Sequence, residues 1–143
     1  MPLIVNRLKV LLMLRGPVTQ ADLLALTTEL SIMLRAGLAL DNALRVLIEM
    51  SAKPSVRTLL EGILEDVKGG APFSRALSTR KELFGDFYIN MVRSGEASGQ
   101  MSQVLQRLVE HMERLRALRE SVVHRFDEFL ARDGGDHGTL AVM

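Results

Sequence analysis

Residues 92–101, "VRSGEASGQM" (Val92 to Met101), decide how the chain is divided. Two glycines and two serines surround one glutamate, and long segments with helical apolar spacing lie on both sides. A phosphate-cradling loop would end in Lys-Ser or Lys-Thr and would follow a strand. This stretch does neither and reads as a joint between two helices. Gly95 is placed to take the left-handed conformation that closes the preceding helix. Ser98 is placed to cap the following helix, and Glu96 sits beside that helix's positive end, where negative charge is favourable. A partner contact or a cation ligand is the alternative role for the glutamate.

Working outward, both flanks are helical. In "PVTQADLLALTTELSIMLRAG", Thr19 is an N-cap with Asp22 three residues on, the spacing of a capping box. Leu23, Leu26, Leu30, Met33 and Leu34 follow at helical intervals, and Gly37 supplies the stop. A second helix restarts at once, with Asp41 in its first turn and Leu40, Leu44, Leu47 and Ile48 as its stripe. Pro54 opens a third, because a first-turn amide needs no intrahelical partner, and Gly69 with Gly70 stops it. "PFSRALS" is a short fourth. "LFGDFYINMVRSG" is a fifth, carrying the cluster Phe84, Phe87, Tyr88 and Met91. The sixth follows the joint, with Met101, Val104, Leu105, Leu108, Met112, Leu115 and Leu118 as a continuous seam.

No segment alternates with period two. The expected fold is all-α, an antiparallel six-helix bundle over residues 19–126. Residues 1–18 form an N-terminal arm, either a partly ordered helical arm or an amphipathic surface helix with Leu8, Leu11 and Leu12 on one side. Residues 127–143 are Gly- and Asp-rich and are expected as a disordered tail.

Composition narrows the chemistry. The 143 residues suffice for one domain with a modest core, and that core is aliphatic, since tryptophan is absent and aromatics make up 4%. Without cysteine there is no disulfide, no zinc thiolate and no thiol nucleophile. The net charge of +1, with acids and bases interspersed, gives no electrostatic basis for binding nucleic acid. No run of about 18 apolar residues is present, so no membrane span is expected in this chain.

Candidate sites are sparse. His111 reads as a flank residue of the long helix. His124, Asp127 and Glu128 have a spacing that puts three metal-ligating groups on one helix face, although such charges are ordinarily a solvated face. His137 lies in the expected tail. No nucleophile–base pair stands out. The helices around Gly37 resemble a helix-turn-helix, but the second offers only Asn42 and Arg45, offset by Asp41 and Glu49. A DNA-binding or regulatory module, or a metal-dependent enzyme, are the rival classes. Eight methionines suit an adaptable interface, including one with a second copy of the chain, and suit an ordinary core equally.

The order of motifs resembles the cytoplasmic domain of the type II secretion F protein family, the inner-membrane platform proteins of type II secretion and type IV pilus systems. The resemblance runs from Asp22 to Val123. It rests on "LTTELSIMLRAGLALDNALRVL", on "GGAPFSRAL", and on "FGDFYINMVRSGEASGQM" with Arg93, Gly95, Glu96, Ser98 and Gly99 in place. A leucine-seamed helix, "VLQRLVEHMERLRALRESV", follows. The departure at Gly85–Asp86, where the family commonly has proline or a small residue, touches the local turn.

The resemblance implies a non-enzymatic docking module on the cytoplasmic face of the bacterial inner membrane. It would need no cofactor. Its partners would be an assembly or secretion ATPase and other components of the machine. The implied contact regions are the 93–99 joint and the exposed side of the sixth helix at Glu110, Glu113, Arg114 and Arg116. Arginine at position 96 is then expected to weaken partner binding without unfolding the domain. Family members continue into a transmembrane helix and a second copy of the domain. Here the sequence turns polar instead, which is expected of a fragment, a truncated or frameshifted product, or a stand-alone relative.

Overall fold

The capping box at Thr19 forms as its spacing requires. In the computed structural model the Thr19 N–H donates to Asp22 Oδ2 at 2.9 Å, and the Asp22 N–H donates to Thr19 Oγ1 at 3.1 Å. The structure describes residues 2–142, the last eight by their backbone alone. Among them lie seven helices: α1 (Pro2–Leu14), α2 (Gln20–Arg35), α3 (Leu40–Met50), α4 (Pro54–Lys68), α5 (Phe73–Ser78), α6 (Lys81–Ser98) and α7 (Met101–Val142). The class is all-α, with no strand among the described residues.

Contacts divide the chain into two units, Met1–Val109 and Glu110–Met143. In the first, α2 packs on α3, α3 on α4, α4 on α5, and α5 on α6. The apolar stripes meet in one core. Leu23 and Leu30 of α2, Leu44 and Leu47 of α3, Leu60 and Ile63 of α4, Leu77 of α5, Val92 of α6, and Leu105 and Leu108 of α7 are each at most 2% exposed. At about 25 cal/mol per Å², burial of these aliphatic side chains is the main force assembling the unit.

One polar link crosses that core. The Thr27 and Tyr88 hydroxyls are 2.8 Å apart, and Thr27 also donates to the Leu23 carbonyl. Burial of Tyr88 is the largest influence on its phenol and pushes its pKa up to about 12, against the opposing effect of the Thr27 hydrogen bond.

Helix ends follow chain chemistry. After α2, the Gly37 N–H reaches the Leu34 carbonyl and the Leu38 N–H reaches Met33, the double closure built around a left-handed glycine. Gly70 and Ala71 repeat it after α4. Lys53, just before α4, reaches back to Asp22 at 2.7 Å.

The N-terminal arm carries the helix α1, and none of that helix's residues is buried. Met13 and Leu14 at its end line a cavity of about 340 Å³ together with residues such as Leu26, Leu47 and Val56. Phe87, expected in an aromatic cluster, is 53% exposed, while Phe84 and Tyr88 lie buried with ring centroids 5.0 Å apart. The seam of the last helix is buried only at its start, since Leu115 and Leu118 are exposed. The α7 helix also runs on through residues 127–134, where a tail was expected. Backbone hydrogen bonds within a helix need no apolar partner, so the loss of a packing pattern does not by itself end one.

Candidate functional site

Glu96 lies in the last turns of α6, half-buried and facing α5. Its Oε1 accepts the Ser74 N–H at 2.6 Å, and its Oε2 accepts the Ser74 hydroxyl at 2.6 Å. The α5 helix starts after Pro72, which offers no side-chain cap. Its free first-turn amides need an acceptor. Glu96, 22 residues away in sequence, supplies one. A carboxylate at a helix N-terminus is also favoured by the aligned peptide dipoles. The contact pins α6 to the start of α5.

Around this pin the other signature residues take distinct places. Arg93 is exposed and donates to Asn90 Oδ1 at 3.0 Å. It lines an open depression of about 420 Å³ with Pro72, Ser74, Arg75 and Ser78. Two guanidinium groups at one depression suit a carboxylate, which each can grip in a two-pronged fashion.

Gly95 is buried and helical, not left-handed. A Cβ there would come within 3.2 Å of Met101 Sδ and 3.3 Å of Val104 Cβ. Its role is close approach between the end of α6 and the start of α7. The left-handed turn falls four residues later, at Gly99 with φ of 71°. The amides of Gly99 and Gln100 both return to the Gly95 carbonyl. Ser98 likewise donates back to Gly95 O, at 3.5 Å, and does not cap α7. The expected helix joint exists, but the closing and capping roles assigned to Gly95 and Ser98 are corrected. Either glycine could close the helix locally, and packing against Met101 and Val104 selects which.

The second group of candidates lies in the unit from Glu110 onward. Glu110, Glu113, Arg114 and Arg116 are all exposed on α7, and Arg116 pairs with Glu120 at 3.1 Å. His124 lies 3.2 Å from Glu128. Among the described residues no group of three His, Cys, Asp or Glu side chains is arranged to hold a metal. His111 is half-buried on α7. His137 lies outside the described side chains.

Reasoning from sequence missed Ser74, Arg75 and Arg80. Ser74 was visible only as the serine of "GGAPFSRAL", with nothing in local spacing to connect it to position 96. Arg80 bridges Asp66 at 3.0 Å and the Ala76 carbonyl at 2.7 Å, joining α4 to the end of α5. Such pairs are set by helix packing and leave no periodic trace.

With this geometry in place, residues 26–126 match the family described as type II secretion system (T2SS), protein F. The type II secretion system protein F of Xanthomonas campestris pv. campestris is 40% identical over 80% of this chain and 28% of its own length. The type IV pilus assembly protein PilC of Thermus thermophilus is 39% identical over 76% of this chain and 26% of its own. A type II secretion system protein F of Vibrio cholerae is 30% identical over 73% and 26%, respectively. The chain spans about a quarter of the length of these curated relatives.

Proposed function

Because the chain belongs to the type II secretion system protein F family, we propose that its helical unit is a non-enzymatic docking module of an inner-membrane platform. The match over residues 26–126 carries this reading. Relatives named for type II secretion and for pilus assembly both align with the chain, so the role belongs to what the two machines share. In this role the module lies on the cytoplasmic face of the membrane. It couples an assembly ATPase to pilin-like subunits, and the chemical energy is released in the ATPase.

The geometry supports a surface that presents charge from a rigid frame. Glu96 is committed to Ser74, which makes it a positioning residue. Arg93 and Arg75, exposed at the same depression, are the groups available to a partner. An acidic segment of the ATPase is the complementary surface.

The test is a titration of the intact chain against the assembly ATPase of its own organism. The expected result is binding at micromolar strength or tighter. Arg93→Glu should weaken it about tenfold, since reversing an interfacial charge replaces attraction by repulsion, with the thermal midpoint unchanged. A folded chain that shows no binding would remove the ATPase from the proposal.

A further inference from the structure

The second unit presents an apolar stripe that is exposed among the described residues. Along α7 from Glu110, residues recur at about 100° intervals around the axis. Leu115, Leu118, Val122, Phe126, Phe129 and Leu130 then fall within an arc of about 120°. All are exposed, Phe126 by 59% and Phe129 by 65%. A contiguous exposed apolar surface of this kind marks a site of association.

The charges are sorted around that stripe. Arg119 falls within the arc, and Arg116, Arg125 and Arg132 fall along its two edges. Glu113, Glu120 and Glu128 fall toward the opposite side of the helix, Asp127 falls between that side and Arg116, and only Asp133, at the far end, shares the apolar side. Acids and bases nearly balance along this segment, so their segregation, not their sum, carries the signal. A second copy of the chain docked along the same stripe would set arginine rows against each other, which opposes pairing. Among the described residues no helix is long and apolar enough to cross a membrane. What fits an apolar face edged by arginines and backed by carboxylates is an anionic lipid surface. The aliphatic and aromatic groups enter the acyl boundary, the arginine stems lie along it with their heads at the phosphates, and the acidic side faces water.

We propose that residues 112–132 of α7 form an interfacial helix that lies on anionic bilayers. This stands independently of ATPase docking, because it concerns a different unit and a different ligand.

The experiment is co-sedimentation of the full chain with vesicles of phosphatidylcholine alone and of phosphatidylcholine mixed with phosphatidylglycerol. Binding should appear with the anionic vesicles and fall as salt is raised. Arg119→Gln with Arg125→Gln should cost about 25-fold, since each arginine near such a surface contributes about fivefold. Phe126→Ser with Phe129→Ser should abolish binding while leaving the thermal transition of the first unit unchanged.

The exposed helix α1 carries Arg7 and Lys9 beside its own leucines, so Leu8→Ser with Leu11→Ser is run in parallel. Loss of binding with that pair, and retention with the phenylalanine pair, would overturn the proposal. Equal binding to neutral and anionic vesicles would also overturn it. So would a chain that ignores vesicles but sediments as a dimer dissolved by the phenylalanine substitutions, which would assign the stripe to a second copy.

Discussion

At the scale of single residues, Glu96 is the most constrained polar group of the signature. Both carboxylate oxygens are used on Ser74, whose own side chain is buried. Alanine at position 96 leaves a buried amide and hydroxyl without their acceptor. The expected loss is about 2–3 kcal/mol of unfolding free energy, measured by denaturant titration. Glutamine, which keeps one acceptor and can donate to the Ser74 hydroxyl, should lose about half as much. A variant at 96 that kept full stability would show that the pin is not formed in solution. The arginine substitution expected from sequence to be silent for folding is therefore expected to destabilise.

Tyr88 allows a second residue-level test, since it is the only tyrosine and no tryptophan obscures it. Its phenol titrates near 12 because burial disfavours the phenolate. The unfolded chain releases that proton near 10. The folded state is thus at full advantage below pH 10 and loses it progressively as pH rises toward 12. Phenolate absorbance should appear only close to pH 12, together with unfolding. Appearance at pH 10 in folded protein would mean that the hydroxyl is accessible.

Elements show where local rules and packing divide the work. The α6 helix contains a break at Gly85, whose φ of 82° and ψ of 160° are essentially restricted to glycine. Before it, Lys81–Phe84 makes a single turn that places Phe84 in the core. After it, the helix runs to the Glu96 pin. Alanine at 85 meets no atom within 4 Å, so its cost is purely that of the backbone. About 2 kcal/mol of destabilisation is expected in thermal or urea unfolding, and no change would mean the break is not held.

The link from α2 to α4 is electrostatic. Burial alone would push the Asp22 carboxyl up, but hydrogen bonds from Lys53 and Thr19 outweigh it and hold the pKa below 3.8. A depressed carboxylate stabilises the fold above its unfolded value, and that share is lost as pH falls from 3.8 through the folded value. Lys53→Met should therefore flatten the acid limb of the stability curve below pH 4. An unchanged acid limb would remove Lys53 from the account.

For the molecule as a whole, the core ends while α7 continues. Val104, Leu105 and Leu108 belong to the core of the first unit, whereas every residue from Glu113 to Gly134 is exposed. A helix without tertiary partners opens locally at little cost, because most helical stability in proteins comes from packing. Amide exchange should be slow at Val104–Leu108, approaching the global unfolding rate, and faster by orders of magnitude beyond about residue 115. Anionic vesicles should slow it there. Uniform protection along α7 in free monomer would contradict this gradient.

Much of this was legible in one dimension, and for identifiable reasons. The period of the leucines, the Thr19–Asp22 spacing, Pro54 and the Gly37 and Gly70 stops act within a turn or two of their own position, so the all-α class and most helix starts and stops follow from local spacing. The glycines, glutamate and serine of "RSGEASG" also marked the α6–α7 joint as a special place. What that joint does was decided only in three dimensions. Gly95 became a contact point because α7 packs against it, which left Gly99 to turn the chain. Glu96 became the cap of α5 because packing brings Ser74 within 2.6 Å across 22 residues. The buried and bare halves of the α7 stripe share one sequence pattern. They differ in burial alone, because a periodic pattern states which side of a helix is apolar and not what covers it.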